Sequence, residues 1–73
     1  MPVLSENLIK LRTSENILQK DIAAALKISL RAYQRYEYGE REPSVTVLVA
    51  IADFFDVSID YLVGRTDNPR LNK

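Results

Sequence analysis

Arg31, Gln34, Arg35 and Tyr38 are the residues of this 73-residue chain whose types and spacing best suit directed hydrogen bonding. If residues 30–38 are helical, a turn of about 100° per residue gathers them with Leu30 on one arc of about 140°. Ala32, Tyr33, Tyr36 and Glu37 fall on the opposite side. A guanidinium offers a fork of donors that matches O6 and N7 of guanine, and a glutamine amide matches N6 and N7 of adenine. Leu30 and the Tyr38 ring suit contact with a thymine methyl. The competing reading of the same arc is a solvated face that happens to carry two arginines.

Other chemistries fall away early. The chain has no cysteine and no histidine. That removes disulfides, thiol and imidazole catalysis, and most zinc sites. Asp53, Asp56 and Asp60 read as solvated or capping acids rather than a metal cluster. No catalytic residue, metal or cofactor is therefore expected, and the chain does not read as an enzyme. No apolar run is long enough to cross a membrane, and no secretory signal opens the sequence. A cytoplasmic location fits the absence of cysteine.

The elements that must position these side chains read as five short helices. Helix 1 is predicted from about Ser5, as N-cap, to Glu15, with Leu4, Leu8 and Leu11 on one face. Asn16 suits the left-handed residue that ends it. Helix 2 is predicted over Gln19–Leu26 with Ile22, Ala23 and Leu26 inside. Helix 3 follows the N-cap Ser29, spans Leu30–Tyr38 and stops at Gly39. Helix 4 runs from the N-cap Ser44 to Phe55, and helix 5, capped by Ser58, spans Ile59–Val63. Such a pattern makes a compact all-α domain over residues 1–63. Residues 64–73 form a polar tail expected to fray. Helices 2 and 3, joined by about three residues over 19–38, have the helix-turn-helix plan, which ordinary α-hairpins share.

Ordered landmarks sharpen that plan. Leu11-Arg12, Gln19 with Ile22 and Ala23, Tyr36-Glu37-Tyr38-Gly39, Pro43-Ser44, Leu48 with Ile51 and Ala52, and Val57-Ser58 with Asp60 and Leu62 occur in one register. In this the chain resembles the Cro/repressor-type (xenobiotic-response-element) helix-turn-helix family over residues 5–63. The resemblance implies a lambda-repressor-like five-helix fold and a sequence-specific transcriptional regulator, typically a repressor. Its partner would be double-stranded DNA, with helix 3 in the major groove. It implies a phosphate contact for Gln19, which also braces a helix 3 side chain. Arg31, Arg35 and Gln34 become base readers. Arg41 becomes a backbone contact. Apart from the resemblance, Ser29 reads as a cap also placed to donate to phosphate, and Tyr38 as a groove residue or a flank of the sugar-phosphate backbone. It pairs Arg12 with Glu37, an ion pair between helices 1 and 3 that satisfies a carboxylate on an inner arc. Two positions depart from the family pattern. Leu18 replaces the usual hydroxyl cap of helix 2, and Lys27 stands where glycine often makes the turn.

Helix 4 is apolar on more than one stripe. Ile51, Phe55, Leu48 and Ala52 form its inner stripe, and Val47, Ala50 and Phe54 a second one. With Ile59 and Tyr61 these residues are read as a homodimer interface, in competition with a broad core covered by helix 5. A two-fold dimer sets two recognition helices about 34 Å apart, matching palindromic half-sites one turn apart. No small-molecule effector is evident, and a separate effector domain is not expected within 73 residues.

The formal net charge of 0 argues against a nucleic-acid partner if taken alone. Its distribution changes that. Residues 19–43 carry five bases and four acids, whereas residues 44–63 carry three aspartates and no base. The zero is a cancellation between a mildly basic half and an acidic half. Two readings compete with an operator-binding regulator: an antitoxin-like or restriction-modification controller of the same fold, and a helical protein-interaction module without DNA binding.

Overall fold

The computed structural model describes residues 2–70. They form five helices and no strand: α1 (Pro2–Ser14), α2 (Gln19–Ala25), α3 (Leu30–Glu37), α4 (Val45–Phe55) and α5 (Ile59–Leu62). Residues 71–73 of the predicted tail lie outside the described residues. Helix α1 begins at Pro2 instead of Ser5, which corrects the predicted cap. Proline is well placed in a first turn, because its missing N–H would have no partner there and its φ is already helical. Ser5 is therefore inside the helix.

Each of the five helices stops in the same way. The residue after the last turn takes a left-handed conformation: Asn16 (φ 57°), Lys27 (φ 59°), Gly39 (φ 73°), Asp56 (φ 56°) and Gly64 (φ 84°). Its N–H bonds back three residues, and the next N–H bonds back five. Ile17 N donates to Arg12 O at 3.1 Å, Ile28 N to Ala23 O at 3.0 Å, and Glu40 N to Arg35 O at 2.9 Å. Val57 N donates to Ala52 O at 3.0 Å and Arg65 N to Asp60 O at 2.8 Å. These are Schellman closures, and they satisfy carbonyls that a helix end would otherwise leave bare. Asparagine and aspartate tolerate this backbone; lysine does so only at a steric cost.

At their starts, α3, α4 and α5 are capped by Ser29, Ser44 and Ser58, whose hydroxyls accept from Ala32 N, Val47 N and Tyr61 N. Helix α2 has no such cap: Leu18 is extended at φ −79°, ψ 150° and its side chain contributes no bond.

The core is continuous across the five helices. Leu4 and Leu8 of α1, Ile22 and Ala23 of α2, and Tyr33 and Tyr36 of α3 are buried together. Ile51, Ala52 and Phe55 of α4, then Val57 and Leu62, complete it. Leu11, Leu26 and Leu48 pack against its margin. Asn7 fastens α5 to α1, its Nδ2 donating to Tyr61 O at 3.0 Å and Leu62 O at 3.1 Å. Val3 presses on Gly64, where an added Cβ would meet Val3 Cγ1 at 2.5 Å. In the tail, Pro69 O accepts from Ser58 N at 2.9 Å, so the chain up to that point lies back against the start of α5.

Candidate nucleic-acid interface

The floor of the site is an ion pair. Glu37 ends α3 on its inner side, with its side chain 2% exposed. A carboxylate so far from water needs compensation. Arg12, late in α1, supplies it with two donors: Nε to Glu37 Oε2, and Nη2 to Oε1 at 3.1 Å. The third arm, Nη1, donates to Ile17 O at 2.9 Å and so ties the α1–α2 connection to the same pair. Burial pushes the Glu37 carboxyl upward. The Arg12 bonds, helped by the neighbouring Tyr33 phenol and Gln19 amide, outweigh that and hold it below its ordinary range. The bond to Glu37 raises Arg12 in turn. The Tyr33 hydroxyl is buried beside the pair without a hydrogen bond of ordinary geometry. Burial above all, and then the Glu37 carboxylate, drives its ionisation upward.

On this floor stands Gln19, the first residue of α2. Its Nε2 donates to Glu37 Oε1 at 3.1 Å, and its Oε1 accepts from Gln34 Nε2 at 3.2 Å. The side chain is half-buried, and its amide is directed inward and sideways instead of standing free at the surface. Gln34 is in this way linked through Gln19 to the ion pair. Single-helix reasoning misses the Gln19–Glu37 bond, because the partners are on different helices, 18 positions apart.

The outer face of α3 gathers the remaining expected residues. Ser29, Leu30, Arg31, Tyr38 and Arg41 are exposed, and Arg35 is half-buried. Leu30 and Tyr38 are 42% and 60% exposed. Two shallow adjoining clefts cross this face. Ser29, Arg31, Ala32, Arg35, Tyr36 and Arg41 line one; Arg31, Gln34, Arg35, Tyr38 and Glu40 line the other. Arg31 and Arg35 belong to both, so two guanidinium groups stand at the centre of the surface. Glu40 was not anticipated there and places one carboxylate at the edge. Among the described residues no group of three or more Asp, Glu, His or Cys could hold a metal ion. No helix there is long and apolar enough to cross a membrane.

The residues of α4 and α5 expected at a dimer interface differ in exposure. Phe54 is exposed and meets Phe55 edge-on, with ring centroids 5.0 Å apart. Val47, Ala50 and Tyr61 are half-buried, and Val47 and Tyr61 pack on the core. Ile59 lines a cleft with Val49, Ala52, Asp53, Val57, Ser58 and Asp60. Val45, not considered from sequence, is 76% exposed.

A helix-turn-helix family model matches residues 8–62. The chain is 39% identical over 69 residues to the HTH-type transcriptional regulator YqaE of Bacillus subtilis, covering 94% of this chain and 60% of that protein. It is 42% identical over 62 residues to the cryptic phage CTXphi transcriptional repressor RstR of Vibrio cholerae, covering 85% and 55%. The chain thus spans little more than half the length of these relatives. In structure it superposes on the DNA-binding domain of the P22 C2 repressor with a TM-score of 0.78 at 26% identity, over 84% of this chain and 80% of that one.

Proposed function

The chain belongs to the helix-turn-helix family, and from that premise we propose that it is a sequence-specific DNA-binding transcriptional regulator, acting as a repressor. The observation that carries this reading is the outer face of α3. Arg31 and Arg35 stand at the centre of an exposed surface, and Gln34 is braced from behind by Gln19. Helix α3 enters the major groove. Arg31 and Arg35 donate to guanine O6 and N7, and Gln34 faces adenine. Ser29 and Arg41, at the two ends of α3, contact phosphate and set the register. Leu30 and Tyr38 supply apolar contact beside them. The protein performs no chemistry; it occupies an operator.

Relatives described as a transcriptional repressor and as a transcriptional regulator support this reading. The near-balance of charge over residues 19–43 means few phosphate contacts per subunit. Useful affinity then requires a homodimer on a palindromic operator, with half-sites about 34 Å apart. The α4–α5 surface is the dimer contact in this reading, with Phe54 and Ile59 as its exposed apolar members.

Selection from random duplex DNA at two salt concentrations tests the proposal. Enrichment of a palindrome whose affinity falls with salt is the expected result. No enrichment leaves the interaction-module reading in its place. Phe54→Glu and Ile59→Glu, followed by sedimentation, then test the α4–α5 contact. If neither changes the sedimentation coefficient or DNA affinity, the α4–α5 dimer is wrong.

A further inference from the structure

We propose that Glu37 is a positioning residue for base recognition: through Gln19 it fixes which way the Gln34 amide points, and so sets a preference for adenine. The inference rests on the DNA-binding reading above and names a determinant of its specificity. A carboxylate paired with arginine can only accept hydrogen bonds. Whatever Gln19 turns toward Glu37 Oε1 must therefore be its NH₂, which lies there at 3.1 Å. That choice sends Gln19 Oε1 the other way, where it accepts from Gln34 Nε2 at 3.2 Å. An amide oxygen cannot accept from another oxygen, so the Gln34 amide has one allowed flip as well. One of its two Nε2 hydrogens is held by Gln19. The other hydrogen and Oε1 are not used in that bond, and Gln34 lines the cleft on this face.

That remaining pair, one donor beside one acceptor, matches the N7 acceptor and N6 donor of adenine. Guanine offers two acceptors at the same edge and leaves Gln34 Oε1 against O6. The opposite flip of Gln34 would swap donor and acceptor and lose the match. A buried ion pair at the end of α3 thus reaches the groove face through two glutamines, without Glu37 itself touching DNA. Preorganisation adds to the effect, because Gln34 does not have to be ordered when it binds.

The test uses the full chain and the operator recovered by selection, with affinity measured for every single base-pair variant. Gln19→Leu keeps the bulk, leaves Arg12 and Glu37 paired, and breaks both glutamine bonds. It is expected to lower the adenine preference about tenfold at one base pair per half-site, and to leave preferences elsewhere intact. Gln34→Ala is expected to remove the same preference, and the double variant to be no worse than Gln34→Ala alone. Glu37→Gln, whose amide can turn either atom toward Gln19, should lose preference at that same base pair. Should Glu37→Gln fail to fold, Glu37→Asp keeps the charge opposite Arg12 and withdraws it from Gln19, with the same expected loss. Equal weakening across all sequences, which a purely structural role would give, overturns the proposal. Preferences unchanged in Gln19→Leu overturn it alone, whereas a wild-type chain that enriches no sequence overturns the DNA-binding reading with it.

Discussion

Where α3 meets α1 and α2, the contact includes a run of directed bonds: Arg12 to Glu37, Gln19 to Glu37, Gln34 to Gln19. Where α4 meets the rest of the domain, the contact is aliphatic and aromatic, with Ile51, Ala52 and Phe55 buried and no ion pair of its own described. Hydrophobic burial is non-directional and tolerates small rotations of a helix. Hydrogen bonds between charged groups do not. The half that carries the proposed DNA-binding face is locked in orientation. The other half needs only to bury surface. Charge follows the same division, since the three aspartates of residues 44–63 are all on the apolar half.

The largest effects separate these two materials. Arg12→Ala and Glu37→Ala should each lower stability by about 3–5 kcal/mol in denaturant titration, because each strands the other charge. Replacing both by apolar residues should recover most of that loss. Single variants that melt like wild type would remove the distinction between the halves. The same pair sets the acid limb. Glu37 has its folded pKa lowered from 4.5, so its contribution is present above that value and is lost as pH falls through the lower folded one. Ile51→Ala, at a fully buried position of the apolar half, should lose about 2–5 kcal/mol without altering that acid limb.

Smaller effects sharpen the contrast. Lys27→Gly relieves a left-handed lysine in the α2–α3 turn and should gain about 1 kcal/mol. Leu18→Ser supplies the missing cap of α2 and should gain about 1 kcal/mol. Thermal melts of the two variants and their combination check both, and a loss in either places the strain elsewhere. Tyr33→Phe should stay within about 1 kcal/mol of wild type near neutrality, because the hydroxyl has no well-formed bond to lose. Its clearer signature is alkaline. The folded phenol pKa is raised above 10.0, so the stability it contributes is full below that value and declines as pH rises beyond it. Tyr33→Phe should flatten that decline.

Much of this was legible in the sequence because it is local. Apolar spacing located all five helices, and Ser29, Ser44 and Ser58 announced three starts. Asn16 and Gly39 announced two stops. The start of α1 was misjudged because Ser5 is a good cap and Pro2 a good first-turn residue, and only packing at Leu4 and Val3 decides between them. What remained hidden depends on the angle between helices. A wheel of α3 shows Glu37 turned inward but not that α2 begins beside it. A wheel of α4 shows two apolar stripes but not that α5 docks so that Ile59 and Val49 line one cleft.

The shared helix stop has a stereochemical consequence. At Asn16, Lys27, Gly39, Asp56 and Gly64 the backbone has the handedness that mirror-image amino acids prefer. Those five positions are where an otherwise L-chain would accept D-residues. D-lysine at 27 would keep the turn's charge and remove its steric penalty, while the same inversion at a neighbouring helical residue would break the helix. Chirality, more than side-chain chemistry, is the variable that punctuates this fold.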